Sequence, residues 1–110
     1  MSNIRYTPEA ESDLAGIKSY IIEELENPVA ARNTVTIITK RIRQLEKFPE
    51  MGTPLSSVIT IITDYRFLVC ANYLVFYRID GNDVYIIRII YGRRNYVTIL
   101  FGELPQDETK

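Results

Sequence analysis

Tyr73-Leu-Val-Phe-Tyr-Arg-Ile79 and Val84-Tyr-Ile-Ile-Arg-Ile-Ile-Tyr91, joined by Asp80-Gly-Asn-Asp83, are the part of this sequence that decides its fold. Both runs are rich in Val, Ile, Tyr and Phe, which suit a pleated surface. The Asp-Gly-Asn-Asp linker favours the left-handed turn of a tight hairpin. The two runs are therefore antiparallel neighbours. Upstream, Arg66-Phe-Leu-Val-Cys70 reads as a further strand, so the second half of the chain is a meander. A two-residue Gly81-Asn82 loop would set Arg78 opposite Tyr85 and Val75 opposite Arg88, with the two arginines on opposite faces. Tyr73, Val75, Tyr77 and Ile79 alternate with Leu74, Phe76 and Arg78, so both faces are apolar. A sheet with one solvated face would alternate with polar residues. The second face must then be covered, by the C-terminal segment or by another protein.

The first half has helical spacing. Ile4 to Tyr6 is a short extended piece. Thr7-Pro8-Glu9 starts a helix: Thr7 caps, Pro8 suits the first position, and Glu9 and Glu11 sit at the positive end of the dipole. Ala10, Leu14, Ile17, Ile21 and Leu25 form its apolar stripe, and the helix is expected to end near Leu25. Its other face is acidic, with Asp13, Glu23, Glu24 and Glu26. Asn27-Pro28 repeats the start signal, so a second helix follows as an antiparallel neighbour. That helix buries Ala31, Val35, Ile38, Ile42 and Leu45, and it is basic where the first is acidic. Lys40, Arg43 and Lys47 share a face. Phe48-Pro-Glu-Met-Gly-Thr-Pro54 is a breaker-rich loop, and Gly92-Arg-Arg-Asn95 ends the last strand. Tyr96 to Phe101 is a short strand or a helical turn, and Leu104 to Lys110 is a polar tail. The expected fold is α+β: a short N-terminal strand, then an antiparallel helix hairpin packed on a small antiparallel sheet, in one domain over residues 1–103 with a tail over 104–110.

Composition narrows the chemistry. The chain has 110 residues, 46% hydrophobic and 25% charged, with net charge -1 and no histidine. Length and apolar content fit a single globular domain. Without histidine there is no Ser–His–Asp or Cys–His nucleophile and no imidazole metal ligand. The single cysteine, Cys70, lies in an apolar run and reads as a buried small hydrophobe in a reducing cytoplasm. No disulfide framework, metal site or cofactor is expected. The N-terminus lacks a signal-peptide core, and no apolar stretch reaches membrane-spanning length. A soluble cytoplasmic protein without membrane contact is expected.

With these elements in order, the chain resembles the RelE/ParE superfamily, the toxins of type II toxin–antitoxin modules. The resemblance rests on Tyr6-Thr-Pro-Glu-Ala-Glu-Ser-Asp-Leu14, Leu45-Glu-Lys-Phe-Pro-Glu-Met-Gly52, Tyr73–Ile79 and Val84–Tyr91 followed by Gly92-Arg-Arg94, and it runs from about Ile4 to Phe101. It implies a compact toxin neutralised by a cognate antitoxin that lays helices and an extended segment over it. Two activities follow from it: RelE-like cleavage of messenger RNA on the ribosome, and ParE-like inhibition of DNA gyrase. RelE-like toxins would use Arg94 and Tyr96 for catalysis. However, Leu74 stands where they place an arginine, Leu100 is nearest their C-terminal tyrosine, and net charge -1 suits ribosome entry poorly. The ParE-like branch is favoured, with the ribosome-dependent endoribonuclease as alternative and an inactive antitoxin-binding homologue as a second. Arg93, Arg94, Tyr91 and Tyr96 are the candidate target contacts, and Arg66, Arg78, Lys40 and Arg43 the candidate antitoxin contacts. For Arg66, Arg78 and Arg88 the competing role is a structural ion pair to Asp64, Asp80 or the acidic helix.

Overall fold

A computed structural model describes residues 1–102, so the tail at 104–110 lies outside the described residues. Strand β1 (Asn3–Tyr6) leads into helix α1 (Pro8–Glu23) and helix α2 (Pro28–Arg43). A 3-10 turn at Gln44–Glu46 closes α2. Then come the two-residue strand β2 (Thr53–Pro54), β3 (Arg66–Cys70), β4 (Tyr73–Asp80), β5 (Asp83–Tyr91) and helix α3 (Tyr96–Phe101). The sheet order is β1-β5-β4-β3-β2. Strands β2 to β5 are antiparallel, but β1 runs parallel to β5, so the sheet is mixed rather than wholly antiparallel. The helix hairpin carries the chain from β1 to β2 at the opposite edge of the sheet, and the β2–β5 meander returns it so that the last strand lies beside the first.

Both helix starts have the expected chemistry. Thr7 Oγ1 accepts from Ala10 N at 3.0 Å, and Asn27 Oδ1 accepts from Ala30 N at 3.0 Å. Helix α1 ends at Glu23, two residues before Leu25. Leu25 therefore leaves the buried stripe and is exposed. Glu26 takes a positive φ of 51° to redirect the chain into α2.

The hairpin packs on one sheet face, where Ile38, Ile42 and Leu45 meet Leu68, Val75, Tyr77, Val84 and Ile86. The opposite face is covered from within the chain: α3 and Leu55 pack Tyr96, Ile99, Leu100 and Phe101 against Phe67, Leu74, Phe76 and Ile90. Both faces are apolar because both are buried. The 96–101 segment is helical, with Asn95 Oδ1 accepting from Thr98 N at 3.3 Å.

A β-bulge corrects the hairpin register. Arg78 faces Tyr85 as expected, but β5 carries one extra residue, so Val75 faces Ile89 and Arg88 faces Phe76. The pattern of apolar residues is blind to the insertion because β5 is apolar on both faces.

A fixed loop knot lies at the other end of the sheet. Tyr77 Oη donates to Pro49 O at 2.7 Å and accepts from Gly52 N at 2.9 Å. Arg66 donates to Gly52 O at 2.7 Å and Glu50 O at 3.1 Å. Gly52 is required here: a Cβ would lie 2.5 Å from Tyr77 Oη and 2.9 Å from Phe67 O.

Candidate functional site

The edge of β5 decides what the site looks like. β1 covers that edge only to Ile86. Beyond it the first turns of α1 take over. Thr7 N donates to Ile86 O at 3.0 Å and Thr7 Oγ1 to Ile87 O at 2.9 Å. Asp13 then accepts from Ile89 N at 2.9 Å and from both ends of the Arg88 guanidinium at 2.7 and 2.9 Å. The carboxylate thus closes the bulged strand and neutralises a half-buried arginine. It also favours the charged form of Arg88, raising its pKa despite the cost of burial. This ion pair ties α1 to β5.

A groove of about 740 Å³ opens beside it, between the helix hairpin and the far ends of β4 and β5. Ile17, Tyr20, Ile21 and Leu25 form one wall, Tyr73 and Tyr91 the other, and Arg94 stands at its border. Tyr73 and Tyr91 are cross-strand partners in edge-to-face contact, with ring centroids 5.8 Å apart. Burial, with the neighbouring Tyr91 and Tyr20 phenols, pushes the Tyr73 pKa up. Gly16 lines the groove with nothing within 4 Å of its side-chain position. The lining is mostly apolar, with Ser12, Thr34 and Asn72 among it, the Arg88-paired Asp13 as its carboxylate and Arg94 as its cation, a mixture that suits an amphipathic helix.

The turn after β5 is held at both ends. Gly92 N donates to Asn72 O at 2.8 Å and Arg94 N to Tyr91 O at 3.0 Å. Arg93 and Arg94 are exposed, with no ion-pair partner among the described residues. Tyr91, 40% exposed, stands beside them. Tyr96 does not join this group. Its ring packs on Phe76 at 5.2 Å, within the cluster on the other face, where Leu74 also packs. Of the four candidate target contacts, Tyr91 and Arg94 both line the groove, Arg93 is exposed in the turn between them, and Tyr96 packs in the cluster on the other face.

The candidate antitoxin contacts divide as well. Arg66 is spent on the carbonyls of the 50–52 loop. Arg78 is paired with Asp64 at 3.0 Å, which raises its pKa. Lys40 and Arg43 lie exposed on α2, without ion-pair partners among the described residues. Asp13 was legible in the sequence only as one residue of an acidic face. Its position three residues after Ala10 and one before Leu14, at the margin of the buried stripe, is the signal that it turns inward. The groove itself had no sequence signature.

Cys70 is buried and free, and burial pushes its thiol pKa up, the reverse of an activated nucleophile. Among the described residues no cluster of His, Cys, Asp and Glu could hold a metal, and no helix is long and apolar enough to cross a membrane.

A helix hairpin on a five-stranded mixed sheet, with a groove that Arg94 helps to line, defines a small α+β domain. Residues 4–96 match the family of the ParE toxin of type II toxin–antitoxin system, parDE. The chain belongs to that family. Among solved structures, one from the "Chromosomal ParDE TA system from P. aeruginosa" is similar, with a TM-score of 0.70 over 83% of this chain and 96% of that one. Identity is 22%, so the likeness is one of fold. A search of curated protein sequences finds no match.

Proposed function

We propose that this toxin inhibits DNA gyrase by protein contact through Tyr91, Arg93 and Arg94, and that a cognate antitoxin neutralises it in the cytoplasm. The observation that carries the proposal is the isolation of Arg94. A nuclease would gather acid, base and phosphate-binding groups around one scissile bond. Here Tyr96 is packed on Phe76 and Leu74 sits in the same cluster, both away from the groove that Arg94 borders. What remains at the turn is an aromatic residue with two exposed cations. Tyrosine and arginine are the residue types that dominate protein–protein contacts.

The antitoxin is proposed to lay an amphipathic helix in the groove, with a carboxylate on Arg94 and further acidic residues toward Lys40 and Arg43. Arg66 and Arg78 keep their structural partners in this arrangement. Because Arg94 belongs to both the groove and the target turn, antitoxin and target would compete for it.

The test places the purified chain in a gyrase supercoiling assay and in a translation reaction read by primer extension. Loss of supercoiling with intact message, weakened in Arg94→Ala, is the expected result. Cleaved message with normal supercoiling, abolished in Arg94→Ala, would establish the endoribonuclease instead. Inactivity in both assays with antitoxin binding retained would identify an inactive homologue.

A further inference from the structure

Helix α2 carries Arg32, Lys40, Arg41 and Arg43 and no carboxylate, whereas α1 carries Glu9, Glu11, Asp13 and Glu23 against Lys18 alone. The two helices pack against each other. Opposite charges on neighbouring helices attract, yet among the described residues no ion pair joins them. Asp13 is taken by Arg88, and Arg41 turns to Gln44 Oε1 at 2.8 Å. Helical spacing gives the direction of the remaining cations. Ala31, Ile38 and Ile42 mark the buried side of α2. At about 100° per residue, Arg32, Thr36, Lys40 and Arg43 fall within an arc of about 80° turned away from that side. All four are exposed. Between positions 32 and 43 no other residue shares the arc. The row stands apart from the groove, whose α2 wall is Ala30 and Thr34.

We propose that this outward face of α2 docks on the phosphate backbone of duplex DNA when the toxin is free of antitoxin. The residue types select the occupant. A protein partner needs apolar or aromatic anchors at the centre of its contact, and this face offers three cations and a hydroxyl. Single-stranded nucleic acid is held by aromatic stacking as well as charge, and α2 has no aromatic residue. A polar, positive surface without stacking groups is the kind that tracks a duplex backbone. The row from Arg32 to Arg43 is about 16 Å long and spans about five phosphates of one strand. That the duplex is DNA rests on the gyrase reading: gyrase works on duplex DNA, so its inhibitor meets DNA where it meets its target. Acidic antitoxin residues at Lys40 and Arg43 would occupy the same cations, so antitoxin and DNA exclude one another there.

The test is fluorescence anisotropy of a labelled duplex DNA titrated with the isolated full chain, with no gyrase present. Binding should be indifferent to DNA sequence. For three phosphate contacts it should weaken roughly 40-fold between about 50 and 200 mM salt. Arg32→Gln, Lys40→Gln and Arg43→Gln should each lower the salt slope by about one, and the triple variant should lose most of the binding. The three side chains are exposed, so circular dichroism should report an unchanged fold. A wild type that does not bind, or binding that survives in the triple variant, overturns the proposal. Tighter binding to polyglutamate or to single-stranded RNA than to the duplex would assign the face to an acidic protein segment or to RNA and overturn it as well. Because gyrase is absent, a failure here leaves the supercoiling result standing. A chain that binds DNA through α2 yet spares supercoiling overturns only the gyrase reading.

Discussion

Asp13→Ala should be among the most damaging single substitutions on the helix hairpin. The carboxylate receives three hydrogen bonds, two from Arg88 and one from Ile89 N. Side-chain exposure is 14% for Asp13 and 25% for Arg88. Removing one partner of a buried ion pair costs roughly 3–5 kcal/mol, because the other charge is stranded. Arg88 keeps some access to water, so the lower end, about 3 kcal/mol, applies. Alanine returns about 0.5 kcal/mol through its better helix propensity. The net loss is about 2.5 kcal/mol, or a fall in Tm of about 10–20 °C for a domain of this size. Asp13→Asn keeps an acceptor for Ile89 N and should lose only about half as much. Replacing both partners by Asp13→Leu with Arg88→Met removes the stranded charge and should recover at least about 1 kcal/mol relative to Asp13→Ala. Urea unfolding followed by circular dichroism measures all of these. A loss below about 1 kcal/mol for Asp13→Ala, or strict additivity in the Asp13/Arg88 double-mutant cycle, would refute the argument that this pair clamps α1 to β5.

Four further outcomes are expected. Gly52→Ala should cost at least about 3 kcal/mol or leave the protein insoluble, since no nearby backbone can yield, whereas Gly16→Ala should stabilise by about 1 kcal/mol. The same Gly16→Ala methyl enters the groove, so weaker antitoxin binding by a more stable toxin, read by calorimetry, would mark the groove as the docking site. Tyr77→Phe should cost about 1–3 kcal/mol in urea unfolding, because Gly52 N is left buried without an acceptor. Finally, burial raises the pKa of Tyr6, Tyr73 and Tyr77 above the ordinary phenol value. Their protonated forms are favoured in the folded state, so this stabilisation is intact below about pH 10 and declines as pH rises through the folded values. Urea midpoints that stay flat or climb between pH 9 and 11.5 would contradict that sign.

How far the sequence could be read depends on whether a feature is local. The caps at Thr7 and Asn27, the stripes of α1 and α2, and the Gly81-Asn82 turn all arise from residues within a few positions of one another. All were legible. The end of α1 was overestimated because Leu25 continues the apolar period, although Glu26 has already turned the chain. The bulge in β5 was invisible because it shifts register between two apolar faces. For Arg66 and Arg78 the sequence left two roles open, antitoxin contact or structural partner; Asp64 was a named candidate partner and pairs with Arg78, whereas the Gly52 carbonyl that Arg66 binds, 14 residues away, had no signature. Tyr96 was a candidate target contact because it flanks the arginines in sequence, and nothing local says that α3 folds back onto Phe76.

The sequence by itself therefore determined the elements, their order, the family resemblance and the exclusion of histidine-based chemistry. Those follow from periodicity, turn residues and composition, each of which acts over a few residues. Only the tertiary structure decided which charges were already spent, that the second sheet face is covered by the chain's own C-terminal helix, and that Tyr91 and Arg94 meet a groove beneath the hairpin. These depend on which distant atoms satisfy each buried donor and charge. That accounting closes only when the whole chain is folded.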